Sequence, residues 1–343
     1  MSSDPLKPTS PAKATRASEE RLDEIRRQAA KSAHASSRGN DLHAPQISGK
    51  GGYYGLPVLK APVWTWEVPV YFFIGGMAGL SACVALIAHL FGNDPSLVRS
   101  ALWAALIGAA LCPVFLIADL GRPARFLNML RVAKIRSPMS VGAWVLVAFS
   151  GCVFVALLAT ELSLRGYRST LIAGAGWAGE FMGALTGLLL AAYTGVLIGA
   201  TAIPVWSQNR TAIPAHFLTS AFGSASAVLE LLGFQIPATQ FLGLAAAAIE
   251  TMLGIYFELR RSRVNAPLHH GKSGIAFRIA STMAGPVALA LRLLSHSPDV
   301  RIAAAIFFLA GAFLSRYAWI WAGRVSAHDP EVLFQMQRNH DAS

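Results

Sequence analysis

Cysteine is scarce. The chain has three in 343 residues, Cys83, Cys112 and Cys152. None stands in a CxxC spacing, so neither a disulfide framework nor an iron-sulfur or zinc site is expected on this chain. Each falls inside an apolar run and reads as a small packing residue. Charge is scarce as well: Asp, Glu, Lys and Arg together make 14% of the sequence against 54% hydrophobic residues, with a mean hydropathy of +0.47. An ordinary soluble domain carries about 25% charged residues, so that class is excluded. Acid is the scarcer sign, 18 residues against 29 basic ones. The resulting charge of +11 lies in the N-terminal tail and between apolar runs, which points to membrane lipids and partner subunits and away from nucleic acid. Residues 1–62 lack an apolar h-region, so no secretory signal is expected there.

Long apolar runs are abundant. They lie at residues 68–91, 97–118, 140–162, 179–205, 213–232, 236–259, 275–294 and 301–323, each long enough to cross a hydrocarbon layer about 30 Å thick as a helix. The expected fold is an all-α integral membrane protein with eight transmembrane helices. A polar, largely extended N-terminal tail covers 1–62, with a short helix expected over 18–34, and a polar C-terminal tail covers 325–343. The seventh run carries Arg278, Pro286 and Arg292 and the eighth carries Arg316, residues that have to face protein or water. An even number of spans puts both termini on one side. The loops there hold Arg122, Arg125, Arg131, Lys134, Arg136, Arg210, Arg260, Arg261, Arg263 and Lys272, against Arg99, Arg165, Arg168 and Arg301 on the other side. The positive-inside bias then places the termini in the cytoplasm.

Glu67, in WTWEVPVYFFIGG, precedes Tyr71 by one helical turn on the same face. A carboxylate and a phenol stacked there can hydrogen-bond the two polar ends of a small amphipathic ring, or exchange protons with it. The simpler reading, which this stretch alone favours, is that Glu67 is a solvated residue at a helix N-terminus, with Tyr71 in an aromatic belt with Trp64 and Trp66. Tyr193, near the middle of the fourth run, needs a partner for its hydroxyl. Glu250 is the deepest acid of the sixth run, Glu230 lies near the far end of the fifth, and Glu161 and Glu180 flank the loop between the third and fourth. Such acids stand either on a proton route or in hydrogen bonds to neighbouring helices, and both readings stay open. A b-type haem needs two histidines at matched depth. His89 is at the far end of the first run, His216 at the near end of the fifth, and His269 and His270 lie in a loop, so no haem is expected. The run DLGRPARF, residues 119–126, separates the second and third spans. Gly121 and Pro123 end the helix and turn the chain, and Asp119 can pair with Arg122 or Arg125 or cap the turn; a capped basic loop and a docking or ligand role fit equally well.

Taken together, YYGLPVLKAPVWTWEVPVYFFIGGMAG, ADLGRPARFLNML, SPMSVGAW and AAYTG resemble the NrfD/PsrC family, the membrane subunits of polysulfide-reductase-type and related respiratory complexes. The resemblance covers residues 53–323 in span count and order, with its motifs in the first four spans. It implies two four-helix bundles, over 63–205 and 206–324, the first holding a quinone site. It also implies menaquinone or ubiquinone as an exchangeable substrate and no redox cofactor in this chain. The implied partners are a ferredoxin-like iron-sulfur subunit and a catalytic subunit of molybdopterin type. In the family's polysulfide reductase the quinone headgroup meets an asparagine and a histidine on the first helix and a tyrosine elsewhere. Val68 and Tyr71 stand at the first two positions here, so Glu67 and Tyr71 are expected to substitute, with Tyr193 as the tyrosine. The expected quinone contacts are Glu67, Tyr71, Asp119, Arg122, Trp144 and Tyr193, and the expected docking residues are Arg122, Arg125 and Arg131. The expected proton route runs through Glu67, Glu161, Glu180, Glu230 and Glu250. In polysulfide reductase the partner docks outside the cytoplasm, against the orientation that the charges give. An ion or solute transporter using the buried acids is the alternative function, although no inverted repeat and no matched pair of broken spans is visible.

Overall fold

A computed structural model of the chain describes residues 64–92, 94–119, 131, 137–294 and 297–329. The expected helix over 18–34, the N-terminal tail to residue 63, residues 330–343, and all of DLGRPARF beyond Asp119 lie outside the described residues. Among the described residues, eight segments are long and apolar enough to cross a membrane, and the protein is a multi-pass all-α membrane protein. The first four spans are α1 (Glu67–Leu90), α2 (Pro95–Asp119), α3 (Pro138–Leu164) and α4 (Thr170–Gly199). A short α5 (Pro204–Gln208) leads into α6 (Ala212–Leu231) and α7 (Pro237–Leu259). One turn, α8 (Ala266–His269), precedes a seventh span made of α9 (Gly271–Thr282), a π-helical turn at Met283–Val287 and α10 (Ala288–Leu294). The last span is α11 (Pro298–Ala327).

Local chemistry sets these boundaries. Proline opens α2, α3, α5, α7 and α11, where its fixed φ suits the first helical position and its missing N–H costs nothing. Between α1 and α2, Asp94 accepts from the Ser96 amide at 2.9 Å, and the Ser96 hydroxyl and amide hold its carboxyl below the usual range. Pro286 falls inside the seventh span; it removes one backbone donor, and the π-turn accommodates the break. The fourth span begins at Thr170 rather than the expected 179. Its opening sequence TLIAGAGWAGE dilutes the apolar signal with glycine and glutamate, while Ser169 caps it by accepting from the Ile172 amide at 3.3 Å. That shift corrects two placements. Glu180 lies inside α4, only 3% exposed, rather than beside a loop, and Tyr193 lies close to the end of α4 rather than mid-membrane.

In lipid the hydrophobic effect does not drive helices together, so close backbone approach has to. A Cβ on Gly79 of α1 would meet the Gly187 carbonyl oxygen of α4 at 2.3 Å, and a Cβ on Gly187 would meet that of Gly79 at the same distance. α11 uses the same device against α9 and the π-turn, where a Cβ on Gly311 would stand 2.5 Å from the Ala284 amide nitrogen. α1 packs on α2 and α4 and also on α6 and α11, which makes it the central helix, with Phe72, Ala78, Leu80 and Ala85 wholly enclosed. The outward faces carry large apolar side chains such as Phe154 and Leu158 on α3 and Met252 and Ile255 on α7, as lipid requires.

Candidate functional site

Alternating helix direction brings the start of α1, the end of α2, the start of α3 and the end of α4 to one membrane face, called the near face below. There Thr65, just ahead of α1, joins two carboxyls. Its hydroxyl contacts Glu67 Oε2 and lies 2.9 Å from Asp119 Oδ1 at the last residue of α2. A hydroxyl has one hydrogen, so both contacts are hydrogen bonds only when one of the two carboxyls carries a proton. The segment before α1 is fastened to α11: Arg324 donates to the Trp64 carbonyl, Tyr317 donates to the Trp66 carbonyl at 3.2 Å, and Trp64 stacks on Trp206 at 5.3 Å. Trp206 in turn donates to the Trp319 carbonyl at 2.8 Å.

Beneath this cluster is a narrow cavity of about 30 Å³, lined by Trp64, Tyr71, Phe115, Asp119, Gly142 and Tyr193 among others. Its walls are mostly apolar, and Asp119, Tyr71 and Tyr193 bring one carboxyl and two phenols to it. Tyr71 is buried, 4% exposed, and Tyr193 donates to the Pro138 carbonyl at 2.6 Å. Gly142 makes room for the Tyr193 ring, since a Cβ there would lie 2.2 Å from Tyr193 Cε1. The space is about that of one water molecule, so a ring enters only when a side chain moves. Met139, unbranched and 44% exposed at the cavity edge, is the flexible wall.

The structure brings Tyr71, Asp119 and Tyr193 to one cavity, with Glu67 one hydroxyl away through Thr65. It does not bring Trp144 there. That side chain points outward, 42% exposed, because helical spacing turns it away from Gly142 and Ala143, which line the cavity. Arg122 and Arg125 lie outside the described residues, and Arg131 is exposed. The five acids expected on one proton route fall in separate places. Glu67 is on the near face. Glu161 is paired with Arg99 at 2.5 Å and accepts from Trp103 at 3.0 Å. Glu180 meets His89 at 2.6 Å at the far end of α1. Glu230 and Glu250 belong to the second half of the chain. Thr65 and Met139 were not singled out in the sequence, and only their position beside WTWE and within SPMSVGAW gave a hint.

The second half contains ionisable residues whose partners the sequence left open. Glu230 on α6 and Arg292 on α10 form a two-pronged ion pair, 2.8 and 2.7 Å, with both side chains fully enclosed. Glu250 on α7 lies 2.9 Å from His216 Nδ1 on α6. Arg316 of α11 sits over the Phe217 ring at 3.9 Å and donates to Ser220 Oγ at 2.7 Å. At 100° per residue, His216, Ser220, Ser224 and Glu230 share one side of α6, and His216 and Glu230 are about 21 Å apart along it.

A family model described as polysulphide reductase, NrfD, matches residues 58–327. No curated protein matches the chain. The match spans most of the sequence and every described span, so the chain belongs to the NrfD family, whose members are membrane subunits of respiratory oxidoreductases.

Proposed function

We propose, starting from that membership, that the chain is the quinone-interacting anchor of a multisubunit respiratory oxidoreductase. It passes electrons between a docked ferredoxin-like iron-sulfur subunit and menaquinone or ubiquinone in the membrane, while a catalytic subunit, molybdopterin in type, handles the soluble substrate. The observation that carries this reading is the near-face cavity, where Tyr71, Asp119 and Tyr193 meet between apolar walls. Reducing a quinone consumes two electrons and two protons, and the protons have to reach the two ring oxygens. Tyr71 is the donor inside the cavity, and Asp119 exchanges a proton with Glu67 across the Thr65 hydroxyl. Glu67 connects that exchange to the aqueous face. The basic side chains exposed on the near face, among them Arg131, Arg210, Arg260, Arg261 and Lys272, suit an acidic partner surface there; Arg122 and Arg125 belong to the same proposal. The positive-inside bias assigns that face to the cytoplasm of a bacterial membrane.

Quinone-linked turnover of the assembled complex tests the reading. Glu67→Gln and Tyr71→Phe each remove one hydrogen-bonding or proton-exchanging group, and each is expected to lower turnover about tenfold, the loss of roughly one good hydrogen bond. Unchanged turnover in both variants, with the complex intact, would remove the site assignment.

The buried pair His216 and Glu250 favours an added role in moving protons. The two side chains meet at 2.9 Å, Glu250 Oε1 and His216 Nε2 are enclosed and have no hydrogen-bond partner among the described residues, and ionisable groups held together at membrane depth are the kind that proton relays use. Glu230, held from two sides by Arg292, is the fixed end of that polar side of α6. Glu250→Gln in sealed proteoliposomes of the complex is expected to lower proton movement per quinone turned over while turnover continues. An unaltered proton ratio sinks the coupling and leaves the quinone site standing.

A further inference from the structure

The larger cavity of the first half lies at the membrane face opposite Tyr71. It has a volume of about 690 Å³ and is walled by the end of α1, the start of α2, the end of α3 and the start of α4. That volume falls within the range of about 300 to 1,000 Å³ typical of small-molecule sites. Its deep end is polar and prearranged. Glu180, 3% exposed, meets His89 Nδ1 at 2.6 Å, while the His89 side chain is 42% exposed. His89 also lies flat against Trp177, with ring centroids 4.6 Å apart and planes 27° apart. Thr170, at the mouth, is ten residues before Glu180 on α4, so the cavity runs about 15 Å along that helix. The intervening wall of Ile172, Ala173 and Gly176 is apolar and small-featured.

We propose that this cavity is a second binding site for a membrane-soluble quinone or quinol, on the face opposite the near-face cavity. The inference rests on the reading of the chain as quinone-interacting and adds a site to it. A ring carrying an oxygen at each end can place one of them at the His89–Glu180 pair, where an imidazole and a carboxylate can donate or accept, with its face beside a flat indole. An anionic phospholipid headgroup matches less well, because a carboxylate stands at the deep end and Arg168 is the one Lys or Arg side chain in the lining. The two quinone cavities are separate. Between them α1 and α4 touch backbone to backbone at Gly79 and Gly187, and Leu80, Phe149 and Leu190 fill the bundle at 0–1% exposure. A headgroup in the far cavity therefore has no contact with Glu67 or Tyr71.

Photolabelling tests this with the full chain in its assembled complex, in nanodiscs, and with a photoreactive short-tailed naphthoquinone as the probe. Labelled peptides are expected both beside Tyr71 and within residues 168–180. Ala173→Trp fills the far cavity from an exposed wall position and is expected to abolish the second label while leaving the first. Glu180→Gln is expected to weaken that second label about tenfold at limiting probe. Labelling beside Tyr71 alone overturns the second site and spares the near-face reading, whereas labelling at neither place overturns both. Displacement of the far label by an anionic phospholipid but not by unlabelled naphthoquinol also overturns the proposal, by making the cavity a lipid-headgroup seat.

Discussion

Arg292→Met is expected to cost the fold about 3–5 kcal/mol, because it leaves Glu230 enclosed without a counter-charge. The guanidinium meets both oxygens of Glu230, and neither side chain is exposed. It also lies against Gly243 of α7, where a Cβ would stand 2.4 Å from Arg292 Cζ. One side chain thus joins α6, α7 and α10 at the far end of the second half. Replacing both charges, as Glu230→Leu with Arg292→Met, removes the cost of the stranded carboxylate, and a paired apolar replacement of this kind is often tolerated. Thermal unfolding in detergent, followed by the loss of monodisperse protein, should show a large fall for the single variant and recovery of most of it in the double. Equal losses in single and double variants would mean that the pair is not coupled and that packing alone holds these helices.

The eight spans were legible from apolar runs because lipid demands about twenty apolar residues for each crossing, and seven of them were placed within a few residues at both ends. The fourth was placed late for a physical reason. α4 packs through glycines, and Gly79 against Gly187 shows why they are needed; a hydropathy reading scores such residues as weak membrane formers. That one error carried Glu180 to a loop and Tyr193 to the membrane centre. Of the near-face cavity, Tyr71, Asp119 and Tyr193 could be picked out because polar groups in an apolar chain stand out individually. Their partners could not, since Thr65 is an ordinary residue in sequence and becomes significant only where the end of α2 meets the start of α1. The pairs Glu230 with Arg292 and His216 with Glu250 are 62 and 34 residues apart in the chain, and their meeting depends on helix rotation, which periodicity constrains loosely when a span is apolar on every side. Arg292 and Arg316 were visible as costly residues; which acid each would answer was not.

Gly142→Ala is expected to lower quinone-linked turnover about a hundredfold, the effect of displacing a positioning group by roughly 1 Å, although it adds a single methyl and removes no functional atom. The added Cβ would stand 2.2 Å from Tyr193 Cε1, 2.3 Å from Cζ and 2.5 Å from the hydroxyl, distances at which the ring has to leave. Tyr193 cannot move while keeping its 2.6 Å bond to the Pro138 carbonyl, and the cavity is too narrow to receive the ring without losing its own space. Both consequences strike the near-face site and leave the second half of the chain untouched. Gly151→Ala on the same helix is the matched control, because nothing lies within 4 Å of a Cβ there, and it should keep full turnover. Monitoring thermal stability alongside turnover separates site damage from misfolding: a Gly142→Ala complex that is intact and inactive supports the cavity, and one that is intact and fully active rules it out. Combining Gly142→Ala with Tyr193→Phe distinguishes the two ways the methyl can act. If the ring itself blocks the cavity, the double variant stays inactive. If only the anchored hydroxyl is lost, Tyr193→Phe alone already reproduces the defect, and the methyl adds nothing to it.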